Sequence, residues 1–152
     1  EAQVLVCCGG GGLSAGVALA LAAEAPRLRV RTVEPQGFDD VARSLAAGRP
    51  VANAPGGTTL CDAIMTPAPG RLTFPVLRAR CGPGLAVSDE EALRAMALAF
   101  RHLRIVIEPG GAVALAAALF RAGEIEGEAV VVVASGGNVD PATFARALAL
   151  PA

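Results

Sequence analysis

The chain has 152 residues, of which 53% are hydrophobic and 18% charged, with a formal net charge of −1. That length and balance make one globular domain with a real core and exclude a disordered chain. The near-neutral charge gives no electrostatic reason for a nucleic-acid or membrane partner, and five Phe with no Trp or Tyr leave little for base stacking.

Residues 3–7 predict a buried strand, followed by four consecutive glycines, Gly9–Gly12, and a helix over 13–24 that closes near Pro26. Residues 2–23 carry no charge and are long enough to cross a membrane. The glycine block in their middle argues against one helix, and no basic segment precedes them as in a signal peptide. Leu28 to Val33 alternate apolar with basic and polar residues and predict a second strand ending at Glu34-Pro35. A helix over 38–47 stops at Gly48. Loops rich in Pro, Gly, Asn and Thr take up 49–59 and Pro67–Gly70, and a helix is expected over 73–80. Gly84–Val87 reads as a short strand. Ser88, with Glu91 three residues on, forms a capping-box pattern that opens a helix running to about Leu103. Residues 105–107 are a short apolar run. Pro109 suits a first helical position, and an Ala-rich helix follows over roughly 111–122. Residues 129–134 are an Ala/Val strand that empties into Ser135-Gly136-Gly137-Asn138, and Asp140-Pro141 starts the last helix.

Apolar strands alternating with helices predict an α/β fold: a doubly wound, mostly parallel sheet with helices on both faces, forming a single domain over 1–152. Such domains bind ligands at the carboxyl ends of their strands. Gly9–Gly12, Glu34, Glu108 and Ser135–Asn138 all fall there. Bare backbone leading into a helix N-terminus is suited to an anion, because successive N–H groups and the helix dipole both favour negative charge. Gly10-Gly11-Gly12-Leu13-Ser14-Ala15 also satisfies the dinucleotide pattern G-x-G-x-x-A, with Glu34 about twenty residues on as the ribose partner. An NAD-binding oxidoreductase domain is therefore one alternative, and a non-catalytic module for a phosphorylated ligand is another. Four glycines in a row favour a ring of amides around one compact phosphate, and a dinucleotide site does not require the second glycine loop at 135–138.

The four cysteines, Cys7, Cys8, Cys61 and Cys81, contain no C-x-x-C pair. They read as reduced, small buried hydrophobes in a cytoplasmic protein. All 13 basic residues are arginine, so no side-chain amine is available for a Schiff base. The single histidine, His102, reads as a surface or packing residue. The chain begins at Glu1 rather than Met, inside the lead-in to a strand, and is expected to be a piece of a longer polypeptide.

Taken together, the motifs resemble the second half of the threonine/serine dehydratases, pyridoxal-phosphate enzymes of the tryptophan-synthase-β fold type. The matching pieces are Gly9–Leu13, Val33-Glu34-Pro35, Cys61-Asp62-Ala63, Pro69–Phe74, Glu108–Ala112 and Ser135–Asn138, in family order across nearly the whole chain. The resemblance implies that the amides of Gly9, Gly10, Gly11, Gly12 and Leu13 hold the phosphate of pyridoxal 5'-phosphate. It places the Ser135 hydroxyl on the pyridine nitrogen, Ala63 (where the family usually has glycine) beside the ring, and Glu108 near it, either catalytic or as a carboxylate favoured by a helix N-terminus. It further implies a divalent-cation site, Mg²⁺ or Ca²⁺, built from Glu34, Phe38 and Asp40, where an ordinary acidic helix start is the competing reading. The implied reaction is β-elimination of L-threonine, L-serine or a related 3-hydroxy amino acid to a 2-oxo acid and ammonia, with racemisation as a sister activity. The Schiff-base lysine and the substrate loop belong to the first half of such enzymes. This chain alone is thus expected to be inactive, to need that N-terminal half as partner, and to belong to a homo-oligomer.

Overall fold

The computed structural model describes residues 2–151. In chain order the elements are β1 (Ala2–Cys7), α1 (Gly12–Glu24), β2 (Leu28–Pro35), α2 (Asp40–Ala47), α3 (Thr73–Arg80), β3 (Leu85–Val87), α4 (Asp89–Leu98), α5 (Pro109–Phe120), β4 (Ala129–Val133) and α6 (Pro141–Leu148). The four strands form one parallel sheet in the order β3-β2-β1-β4. Val4 of β1 stands opposite Val30 of β2 on one side and Val131 of β4 on the other.

Strand period two sorts β1 between two cores. Leu5 and Cys7 join Val33, Leu85 and Val87 in a core built with α4 and α5. Val4 and Val6 join Val30 and Ala18 in a second core against α1. Both faces of the sheet therefore carry helices, as the apolar runs predicted. The chain leaves β1 for β2 on one side, and β4 later adds on the other. The carboxyl end of β1 is thus the topological switch point, where the loops of the two directions part and leave a crevice.

Local signals account for most boundaries. Ser88 and Glu91 make the predicted reciprocal capping box at the start of α4. The helix continues as a π-helical turn over Ala99–Leu103 and ends at Arg104, in the left-handed region with φ 61°. Pro109 is the first residue of α5, two ahead of the expected start, because its fixed φ and missing N–H suit that position. Asp89 accepts from the Leu60 N–H at 2.9 Å and from the Thr59 hydroxyl, which pins the long loop and delivers Asp62–Ile64 as a short 3₁₀ turn beneath the sheet end.

Coverage is incomplete at one edge. β4 is the outer strand, and Val130 and Val131 are 39% and 48% exposed, so its apolar composition does not reflect burial on both faces here. The apolar run 105–107 likewise forms no strand. Ile107 is buried, whereas Ile105 and Val106 are exposed. No helix among the described residues is long and apolar enough to cross a membrane.

Candidate functional site

A cleft of about 260 Å³ opens at the carboxyl ends of β1 and β4. Gly9, Gly10, Gly11, Gly12, Leu13, Ala63, Glu108 and Ser135 all line it. Residues far apart in sequence thus meet at the switch point.

One wall is the glycine run. Gly11 is the N-cap of α1 with φ 88°, and no side chain caps that helix. The first-turn N–H groups therefore lack an intrachain side-chain acceptor, and Gly12 and Leu13, which carry the first of them, line the cleft. The four glycines are not equivalent. A Cβ on Gly9 would approach the Ile64 Cα to 3.0 Å, and one on Gly11 would approach Leu77 Cδ1 to 2.8 Å. A Cβ on Gly10 or Gly12 would meet nothing within 4 Å. Two glycines permit close packing, and two border open space. The Gly10 carbonyl is occupied from behind, accepting the Gly70 N–H at 3.2 Å and the Thr73 hydroxyl. Beneath the run, the Ser14 hydroxyl donates to the Cys7 carbonyl at 2.9 Å and ties the first turn of α1 to the end of β1.

The opposite wall is the loop after β4. A Cβ on Gly111 would overlap the Ser135 carbonyl, so glycine there lets α5 press against this loop. Gly136 takes φ 73° beside the Glu108 side chain, and its carbonyl accepts the Glu108 N–H at 3.1 Å. Glu108 is the N-cap residue of α5, but its carboxylate makes no capping hydrogen bond. Ser135 Oγ lies 3.0 Å from Cys7 Sγ. Burial pushes the Cys7 thiol up, its bond to Ser135 opposes this, and the nearby Glu108 charge raises it further.

Glu34, Phe38 and Asp40 lie outside this cleft, at the end of β2. Glu34 is fully buried, and its two oxygens accept the Val41 and Ala42 N–H groups at 2.9 and 2.7 Å. Glu34 therefore caps α2 and does not project to meet a ribose, which removes the acidic partner from the dinucleotide pattern. Burial raises Glu34 to about 8 despite those two bonds, with Asp40 and Asp39 adding like charge. Asp40 Oδ1 accepts from Asn53 at 2.6 Å, while its buried Oδ2 has no partner. Among the described residues no group of three or more His, Cys, Asp or Glu converges. The predicted set contains two such residues plus a backbone carbonyl, and a buried, orphaned carboxylate oxygen such as Asp40 Oδ2 is chemistry that a hard cation would satisfy.

The cysteines are free, with Cys7, Cys8 and Cys61 buried. Burial raises the Cys61 thiol to about 12 and Cys81 to about 11, so these are small hydrophobes, as expected. Cys7 is the exception, since it lines the cleft and bonds a site residue. His102 is exposed, away from the cleft.

The family described as "Pyridoxal-phosphate dependent enzyme" matches residues 2–136. A serine racemase from Oryza sativa subsp. indica is 38% identical over 142 residues, covering 90% of this chain and 41% of the relative. A phenylserine dehydratase from Ralstonia pickettii is 39% identical, covering 97% of this chain and 45% of the relative. Among solved structures, a threonine deaminase from T.th. superposes with a TM-score of 0.85 at 41% identity, covering 91% of this chain and 49% of that one. The serine racemase of maize gives 0.86 at 36% identity, covering 96% and 47%. The chain spans less than half the length of these relatives. With its glycine-lined crevice at the switch point of a parallel sheet, this chain belongs to the pyridoxal-phosphate-dependent enzymes of the serine racemase, threonine deaminase and hydroxy-amino-acid dehydratase group.

Proposed function

We propose that this chain is the cofactor-cradling part of an enzyme that eliminates water from a 3-hydroxy amino acid, such as L-threonine, L-serine or 3-hydroxyaspartate, giving a 2-oxo acid and ammonia. The observation that carries this reading is the uncapped, glycine-lined N-terminus of α1 facing Ser135 across one cleft. Relatives at 39% and 40% identity that are a phenylserine dehydratase and a beta-hydroxyaspartate dehydratase support elimination. Serine racemases of similar identity support racemisation as the sister activity.

Pyridoxal phosphate, when bound, supplies the electron sink that lets an amino acid lose its α-proton. The protein's part is binding and tuning. The amides of Gly9 to Leu13 hold the phosphate, aided by the α1 dipole. Ser135 meets the ring nitrogen with a hydroxyl that does not ionise near neutral pH, so the nitrogen stays neutral and the ring is a moderate sink. That suits departure of a β-leaving group over transamination. The Ala63 methyl and the Glu108 carboxylate border the ring.

The covalent anchor is a lysine outside these 152 residues, because this chain contains arginine as its only long cationic side chain. By its resemblance to the family, we read the whole enzyme as a cytoplasmic homo-oligomer. Glu34, the Phe38 carbonyl and Asp40 hold Mg²⁺ or Ca²⁺ in a structural or activating role. The orphaned Asp40 Oδ2 favours this over a bare acidic helix start.

Titrating the full-length protein with pyridoxal phosphate tests the reading. We expect an absorbance band near the visible edge that borohydride bleaches, with keto acid released from one of the three candidate substrates. Binding of a nicotinamide cofactor without that band would overturn it. The isolated chain is expected to form no side-chain adduct after borohydride treatment.

A further inference from the structure

Ser135 reaches the cleft from a loop whose backbone is fixed on several sides. Its carbonyl abuts Gly111 of α5, the next residue is held at φ 73°, and the Gly136 carbonyl accepts the Glu108 N–H. What the backbone leaves open is the direction of the hydroxyl. A serine hydroxyl has one proton to donate and two lone pairs to accept with. Ser135 Oγ has Cys7 Sγ at 3.0 Å, a residue 128 positions away at the end of the neighbouring strand. A neutral pyridine nitrogen is an acceptor and needs that one proton.

Resting on the function proposed above, we propose that Cys7 is the positioning residue for Ser135. The Cys7 S–H donates to Ser135 Oγ and leaves the Ser135 proton free to point into the cleft, at the ring nitrogen of the bound cofactor. Burial, with the Glu108 charge, outweighs the opposing bond to Ser135 and holds the thiol above its ordinary value, which favours the protonated donor. The chain S–H to O–H to ring nitrogen is polarised in one direction, which strengthens its second link. Cys7 touches the cofactor through Ser135 alone and is not a catalytic residue. Its effect is on ring-nitrogen recognition, and through it on the protonation state of the ring.

The test uses the full-length protein and two probes: pyridoxal phosphate, and its analogue with C–H in place of the ring nitrogen. Equilibrium affinities are compared for wild type, Cys7→Val, Cys7→Ala and Cys7→Ser. Without that donor the Ser135 hydroxyl is free to turn to other acceptors, so valine or alanine should weaken pyridoxal phosphate by up to about fivefold, the scale of the one net hydrogen bond it makes to the ring nitrogen. The analogue should bind all four proteins alike, and Cys7→Ser should recover most of the loss. In a Ser135→Ala background, Cys7→Val should have no further effect on either ligand. Equal weakening of both ligands would mean that Cys7 merely packs, and no weakening of either would also overturn the inference. Thermal melting identifies a misfolded variant, and alanine, which adds no bulk, then replaces valine in the comparison. If wild type fails to bind pyridoxal phosphate at all, it is the proposed function that fails, which separates the two outcomes.

Discussion

β1 and β2 lie side by side, and each empties into a helix at the same edge of the sheet, yet their ends are finished in different ways. At the end of β2 the chain supplies its own acceptor. Glu34 reaches the first turn of α2 and occupies two amides with two oxygens. At the end of β1 the corresponding place is bare: α1 starts at Gly12, and no side chain caps it. Orphan N–H groups at a helix start must be satisfied by something. Where the protein provides the carboxylate, the end is structural. Where it provides glycine, the end is open, and we propose that a ligand's phosphate fills it. The contrast explains why a dinucleotide pattern spanning both ends misleads, since its acidic residue is already committed within the fold.

The largest effect is expected from breaking the self-supplied end. Glu34→Ala leaves the buried Val41 amide and the partly buried Ala42 amide unpaired and should cost about 3 kcal/mol in denaturant unfolding. The converse change gives α1 its own anion. Gly12→Glu adds a Cβ into open space and a carboxylate at a helix start, so melting should stay level or rise slightly. In the full-length protein the same variant should weaken pyridoxal phosphate at least about a hundredfold, because like charges juxtaposed at a binding surface cost several kcal/mol. Gly11→Ala tests the backbone of the bare end. At φ 88°, with its Cβ 2.8 Å from Leu77 Cδ1, it should cost roughly 2 kcal/mol by unfolding and also loosen the cofactor. The smallest effect concerns the cation. Saturating Mg²⁺ or Ca²⁺ should raise the wild-type melting temperature by about 5 °C and leave Asp40→Asn unmoved, since binding to the folded state alone stabilises it.

Much of the fold could be read from local pattern. The Ser88–Glu91 box, Pro109 at a helix start and the Gly48 stop each act within a few residues, so sequence alone reports them. That Gly9–Leu13, Glu108 and Ser135 would gather at one edge was legible as well, because each follows an apolar run. Other features required the third dimension. Glu34 fitted a ribose partner in the sequence because nothing in its neighbourhood says that the start of α2 binds it. Cys7 looked like core filler, since its partner Ser135 arrives from β4, 128 residues on. The place of the Val-rich β4 at the edge of this chain's sheet also depended on strand order, which composition does not fix. The distinct roles of the four glycines also depended on knowing that Ile64 and Leu77 approach two of them and not the others.

The central claim is that the bare end of β1 is a phosphate cradle. Its most direct test compares the affinities of the full-length protein for pyridoxal phosphate and for pyridoxal, which lacks only the phosphate. We predict that wild type prefers the phosphorylated form by at least about a hundredfold and that Gly12→Glu, folded by its melting curve, loses that preference. Equal affinity of wild type for the two compounds, or a preference that survives in Gly12→Glu, would contradict the account.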